Sequence, residues 1–249
     1  MLCQCKARRE KVIMQTNIKR NTGEEIILEV RELTKYYRCE DQEDNIISII
    51  GFLKRKEDLG IKGVSFDISK GKIIGLIGEK KCGKSTLLKL IAGVIRPSSG
   101  SILYKGMRVN SQQLRDIVSY ISKENPSCQE YSCTLFENLI QYSCRDNKER
   151  CDVVGRAEKL IVDFELEEYK FKEVIKLPSA VRSKMFILRG LLSHKEVLCF
   201  DQPLIFIEER LQDILKKYMD ELVKSGKTII VSSDDENRIK NICNEIVKI

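Results

Sequence analysis

The stretch that most limits what this chain can fold into lies between residues 71 and 95. Five residues, Ile73 to Ile77, form an apolar run between Gly71 and Gly78. They are followed by "GEKKCGKST" (78–86) and by "STLLKLIAGVI", whose apolar residues recur at helical spacing. An apolar run bounded by glycines reads as a buried strand. The loop is therefore held between a strand and a helix. A glycine, four residues, then Gly83-Lys84-Ser85-Thr86 is the spacing of a loop whose backbone N–H groups, with the following helix N-terminus, converge on phosphate oxygens. In such a loop Lys84 reaches the β- and γ-phosphates and the Ser85 hydroxyl sits on Mg²⁺. Lys80, Lys81 and Cys82 are unexpected inside it, where small residues are usual. The loop reads as a working phosphate cradle, a damaged one, or one kept for another task.

The rest of the chain supplies the frame. "IILEV" opens the ordered part, "RPSSG" closes the helix after the loop, and "SILYKG" resembles a short strand ending in a turn. Residues 133–192 read as helical throughout. From 196 the pattern returns to strands, "EVLCF" and "TIIVSS", separated by the helical "EERLQDILKKYMDELVKSG". Strands alternating with helices predict an α/β fold with a mostly parallel sheet and a helical insertion. At 249 residues, one large domain is expected. A metal-bound nucleotide also needs a carboxylate at the end of a neighbouring buried strand. Asp201 supplies it after "VLCF", with an acidic helix cap as the competing account.

Composition excludes several classes. The longest apolar stretch, Ile46 to Leu53, falls far short of the roughly 18–20 residues that span a bilayer. The opening "MLCQCKARRE" lacks an apolar core after its charges, so a secretory leader is not expected and the cytosol is. Ten cysteines scattered through such a chain read as reduced thiols. Cys3 and Cys5, with His194 the single histidine, do not complete a zinc set. The net charge of +7 is carried by basic residues interleaved with acids, which points to a solvated surface and to no nucleic-acid partner.

From about residue 26 to 236 the chain resembles the ATP-binding subunit of ABC transporters. The resemblance rests on "LTKYY", "GVSFDISKGKIIGLIGEKKCGKSTLLKLIAGVIRPSSGSI", "TLFENL", "EVLCFDQP" and "TIIVSS", in the family's order. It implies a P-loop NTPase fold with an N-terminal antiparallel β subdomain and an inserted helical subdomain at about 125–192. ATP and Mg²⁺ are then the cofactors, membrane permease subunits and a second ATP-binding subunit the partners, and the cytoplasmic face of the membrane the location. Tyr37 falls on the aromatic that stacks on adenine, with Tyr36 beside it as the alternative. Gly78, Lys80, Lys81, Cys82, Gly83, Lys84, Ser85 and Thr86 form the nucleotide loop, and Ser85 and Asp201 hold the metal.

Several positions depart from the family. The signature, typically LSGGQ, reads Leu177, Pro178, Ser179, Ala180, Val181. Gln202 stands where the family has the glutamate that activates water; an amide orients water but accepts no proton. Lys123 replaces the metal-touching glutamine, Asp234 the histidine on the γ-phosphate, and Glu208 an aspartate. Lys80-Lys81 replace Asn-Gly and are read as compensating positive charge. The resemblance thus implies nucleotide binding with weak or absent hydrolysis, and a structural or regulatory role. The alternatives are an active ATPase that positions water with Gln202, and a soluble regulatory protein with no membrane partner.

Three further expectations concern regions outside this set. Residues 1–25 read as a basic polar extension, and 26–249 as the nucleotide-binding domain. Residues 38–62 read as an insertion in which Ile46, Ile49, Ile50 and Leu53 share a helix face before Lys54-Arg55-Lys56, suited to docking on a membrane subunit, the bilayer interface or its own domain. Such insertions favour an exporter. Cys82, beside helix N–H groups and lysines, is either a reactive thiol that nucleotide shields or a small residue in place of alanine or serine.

Overall fold

The computed structural model describes residues 25–38, 57–122, 132–143 and 150–249. Two sheets carry it. The strands β1 (Ile26–Arg38), β2 (Glu57–Ser69), β4 (Ser99–Tyr104) and β5 (Met107–Val109) form an antiparallel sheet in the order β2-β1-β4-β5. The strands β3 (Ile73–Ile77), β6 (Val118–Ile121), β7 (Val197–Phe200), β8 (Thr228–Ser233) and β9 (Glu245–Lys248) form a second sheet in the order β6-β7-β8-β3-β9, parallel at every pairing. The expected α/β class, parallel core and antiparallel N-terminal subdomain are all present.

Both faces of the parallel sheet are covered, which is why its strands are continuous apolar runs. Side chains alternate between the faces at a period of two. Ile73, Ile77, Leu198, Phe200, Ile229 and Val231 join one core with the helices α5 (Ser179–Leu192), α6 (Glu209–Lys224) and α7 (Glu236–Lys240). Ile74, Leu76, Val197, Cys199, Ile230 and Val247 join the other, with α1 (Lys84–Ile91) and the antiparallel sheet. Burying each large side chain contributes about 1.5–3 kcal/mol, so this two-faced core holds the sheet between its covering layers.

The helical middle holds α3 (Leu135–Ser143), α4 (Arg150–Asp163) and α5, with two short 3₁₀ turns between α4 and α5. Thr134 and Glu137 cap α3: the Glu137 N–H donates to Thr134 Oγ1 (3.2 Å) and the Thr134 N–H to Glu137 Oε2 (2.9 Å). The helix α2 (Ser111–Ile117) has a capping box as well, with Asn110 Oδ1 accepting from the N–H groups of Gln112 and Gln113. α6 buries Leu211, Leu215, Met219 and Leu222 on one face.

The structure differs from the sequence reading in the insertion. Residues 57–62, read as part of the insertion, belong to β2 and pair with 35–38 of β1, so backbone pairing absorbs them. The remainder of that insertion, with its apolar face and basic triplet, lies outside the described residues, as does the extension 1–24. No helix among the described residues is long and apolar enough to cross a membrane.

Candidate functional site

The phosphate loop leaves the end of β3 and enters α1 at Lys84. Gly83 has φ 106°, and a Cβ built there would lie 2.4 Å from Ile61 Cγ2 and 2.7 Å from the Gly60 carbonyl oxygen. Only glycine fits. Lys81, at φ 68°, takes a left-handed conformation with a side chain attached, a strain of about 1–2 kcal/mol. Lys84 is 4 % exposed, and its ammonium donates to the carbonyls of Gly78 (2.7 Å) and Glu79 (2.8 Å), with Cys82 Sγ at 3.7 Å. The loop is wrapped around its own lysine. The first intrahelical bond of α1 runs from the Leu87 N–H to the Gly83 carbonyl (2.8 Å), so the amides before it have no partner within the helix and are available to an anion.

Tyr37 stands against this helix start. Its hydroxyl is 3.2 Å from Thr86 Oγ1, and its ring lies over Gly60, where an added Cβ would be 2.7 Å from Cε2. Tyr36 lies elsewhere, its N–H donating to Ser98 Oγ. Of the two, Tyr37 is the ring beside the phosphate loop. Cys82 is half-buried, its sulfur against Gly78 as well as Lys84. Alkylation of Cys82 by iodoacetamide is expected to slow at least about fivefold under saturating Mg-ADP, through simple occlusion; equal rates by mass spectrometry would show that ligand does not reach this sulfur.

Asp201 follows β7, but the neighbouring-strand placement needs correction. β8 intervenes between β3 and β7, because the five-stranded order puts β8 in the middle. Ser232 of β8 bridges the gap: its hydroxyl donates to Asp201 Oδ1 (2.7 Å) and accepts from the Gln202 N–H (2.9 Å). Tyr120 of β6 donates to Asp201 Oδ2 (2.8 Å). Burial, followed by the charge of Asp201, pushes the Tyr120 phenol well above its usual range, so it remains an O–H donor. Sequence reasoning missed Tyr120 and Ser232; the available signal was a hydroxyl-bearing residue near the C-terminal end of each buried strand. Ser232→Ala is expected to leave the Gln202 N–H unpartnered and to destabilise the protein by about 1–3 kcal/mol in urea unfolding, with Ser232→Thr milder.

Ser85, Lys89, Tyr120, Ser122, Asp201 and Gln202 line one pocket of about 160 Å³. A hydroxyl, a carboxylate and an amide oxygen there suit Mg²⁺, which prefers oxygen ligands and takes one or two carboxylates with water and substrate phosphates. The donor chemistry fits the ion. No cluster of three or more His, Cys, Asp or Glu side chains suited to a metal occurs among the described residues.

At the end of β8, Asp234 is paired with Lys80, Nζ to Oδ2 at 3.9 Å. Lys184 Nζ donates to Glu208 Oε2 at 2.7 Å; burial draws the Glu208 carboxyl upward, but the hydrogen bond from Lys184, a backbone amide and the charges of Lys184 and Arg210 together hold the group low. In the signature region Leu177 and Val181 are buried while 178–180 are exposed. Pro178 is the N-cap of α5 and offers no side-chain cap. Among the described residues, no hydrogen bond or ion pair joins 177–181 to the phosphate-loop group. Lys123 lies outside the described residues.

A glycine-pinned loop between a parallel strand and a helix, with a hydrogen-bonded aspartate two strands away, defines a P-loop nucleotide-binding domain. The family model described as ABC transporter matches residues 61–205, more than half of the chain. The chain belongs to the ABC transporter family, as one of its ATP-binding subunits. Members of this family bind ATP, dimerise and work with membrane permease components. NatA, an ABC transporter ATP-binding protein of Bacillus subtilis, is 25% identical over 79% of this chain and 80% of its own length. The spermidine/putrescine import protein PotA of Mycoplasma capricolum is 26% identical over 82% of this chain. The putrescine transport protein PotG of Escherichia coli is 24% identical over 88%. The chain spans only 59% of the length of that PotA and 54% of PotG. Among solved structures, an ATP-binding subunit of an ABC transporter superposes with a TM-score of 0.70 at 23% identity, covering 90% of this chain and 85% of its own. The dimeric cassette MJ0796 bound to ADP and Pi gives 0.69 at 18%, covering 90% and 94%. These two likenesses concern the fold.

Proposed function

We propose that this subunit binds magnesium nucleotide through Gly78, Gly83, Lys84, Ser85 and Thr86, with Tyr37 against the base, and turns it over weakly or not at all. The observation that carries the reading is the pocket shared by Ser85, Asp201 and Gln202. In this reading it keeps the metal-side oxygens, and Gln202 stands where the resemblance puts the family's proton acceptor. Lys84 would exchange its two loop carbonyls for phosphate oxygens, and the α1 amides would take the β-phosphate. Ser85 and Asp201 would hold Mg²⁺, which when bound neutralises charge on the phosphate oxygens. Gln202 would orient water without accepting its proton. Residues 178–180, offered across a dimer, lack the signature's serine and glycines, so the site completed on a partner subunit would be weakened too.

In this reading residues 26–249 form one nucleotide-binding domain with a structural or regulatory role, seated on permease subunits at the cytoplasmic face of the membrane. The export direction draws on the insertion after β1, and the polyamine import proteins among the relatives are the counterweight. Purified protein, alone and with its second ATP-binding subunit, is expected to release phosphate no faster than its Lys84→Ala variant. Turnover at ordinary enzyme rates, about 1 s⁻¹ or more, would instead establish Gln202 as a competent water-positioning residue.

A further inference from the structure

We infer that this site selects a nucleoside diphosphate over a triphosphate. The inference rests on the nucleotide-binding reading above and adds its specificity. The part of the cradle that serves the β-phosphate is complete: Gly83 sets the turn, Lys84 lies buried in the loop, and the first amides of α1 have no helical partner. By the family resemblance, a third phosphate would be met by Lys84 and, beyond it, by Gln202 after Asp201 and by Asp234 at the end of β8, which faces Lys80 at the tip of the loop.

At that place the structure pairs Lys80 with Asp234. The two partners are unequal. The Lys80 side chain is 86 % exposed, hydrated and screened, whereas that of Asp234 is 21 % exposed. A third phosphate brings a further negative charge beside the less screened carboxylate, and draws on an ammonium already shared with it. Like charges at a common site oppose each other, and Asp234 offers no hydrogen-bond donor to offset that. A diphosphate ends before this position. It uses the whole of the intact cradle and leaves the Lys80–Asp234 pair undisturbed.

Titration calorimetry with Mg-ADP and with the non-hydrolysable triphosphate analogue AMP-PNP tests this on the full chain. ADP is expected to bind at least about tenfold more tightly, equivalent to 1.4 kcal/mol. Asp234→Asn, nearly isosteric, is expected to bring the two affinities within about threefold by tightening the analogue and leaving ADP within about twofold. Asp234→His should close the gap further by restoring a donor. Equal affinities in the parent protein, or a preference untouched by both Asp234 variants, would overturn the selectivity while leaving the phosphate loop in place. Failure of either nucleotide to bind, or binding that survives Lys84→Ala unchanged, would remove the underlying reading and the selectivity with it.

Discussion

Gly83→Ala is expected to lower nucleotide affinity at least about a hundredfold, a loss of 2.7 kcal/mol or more. Two effects combine. The left-handed backbone strains any residue with a Cβ by about 1–2 kcal/mol, and the overlap with Ile61 and Gly60 forces one of the strands β1–β2 or the loop to move, at about 1–3 kcal/mol. Stability in urea should therefore fall by about 2–5 kcal/mol, and the amides that follow position 83 should lose their convergence. Calorimetric titration beside unfolding separates the two losses. Parent-like affinity in a folded variant would mean that the loop does not gather phosphate as its geometry implies.

Phe200→Ala is expected to cost about 3–5 kcal/mol in urea unfolding, a large share of the 5–15 kcal/mol typical of a native domain. Phe200 is fully buried, and its ring fills the space that Gly190 of α5 leaves; a Cβ on Gly190 would lie 2.7 Å from Cε1. The same residue precedes Asp201 in the chain. Emptying its place lets β7 relax against α5, so metal-dependent nucleotide binding should weaken beyond the loss of stability. Phe200→Leu, which keeps much of the volume, should lose less than about half as much. A loss below about 1 kcal/mol for the alanine variant would contradict the packing described for this face of the sheet.

The loop was legible from its glycine and Lys-Ser-Thr spacing, α1 from its helical period, and β3, β7 and β8 as sharply bounded apolar runs. α2, β5, β6 and β9 were not assigned from sequence. They are three to seven residues long and exist by pairing or packing with distant segments, as β9 does with β3. The same reason hid the partners of Asp201. Ser232 and Tyr120 are 31 and 81 residues away in sequence, and only the order β6-β7-β8 brings their hydroxyls to one carboxylate. Asp234 was legible as a departure from the family, and Lys80 as a charge in the loop. That the two face each other was not, because it depends on β8 ending level with the loop.

β8 carries Ser232 and Asp234 two positions apart, the first tied to the aspartate on β7, the second reaching the tip of the phosphate loop. One strand thus links the aspartate that lines the pocket to the tip of the phosphate loop. A displacement of β8 along its axis moves both together, so changes that tune one side alone must be made in side chains and not in the backbone.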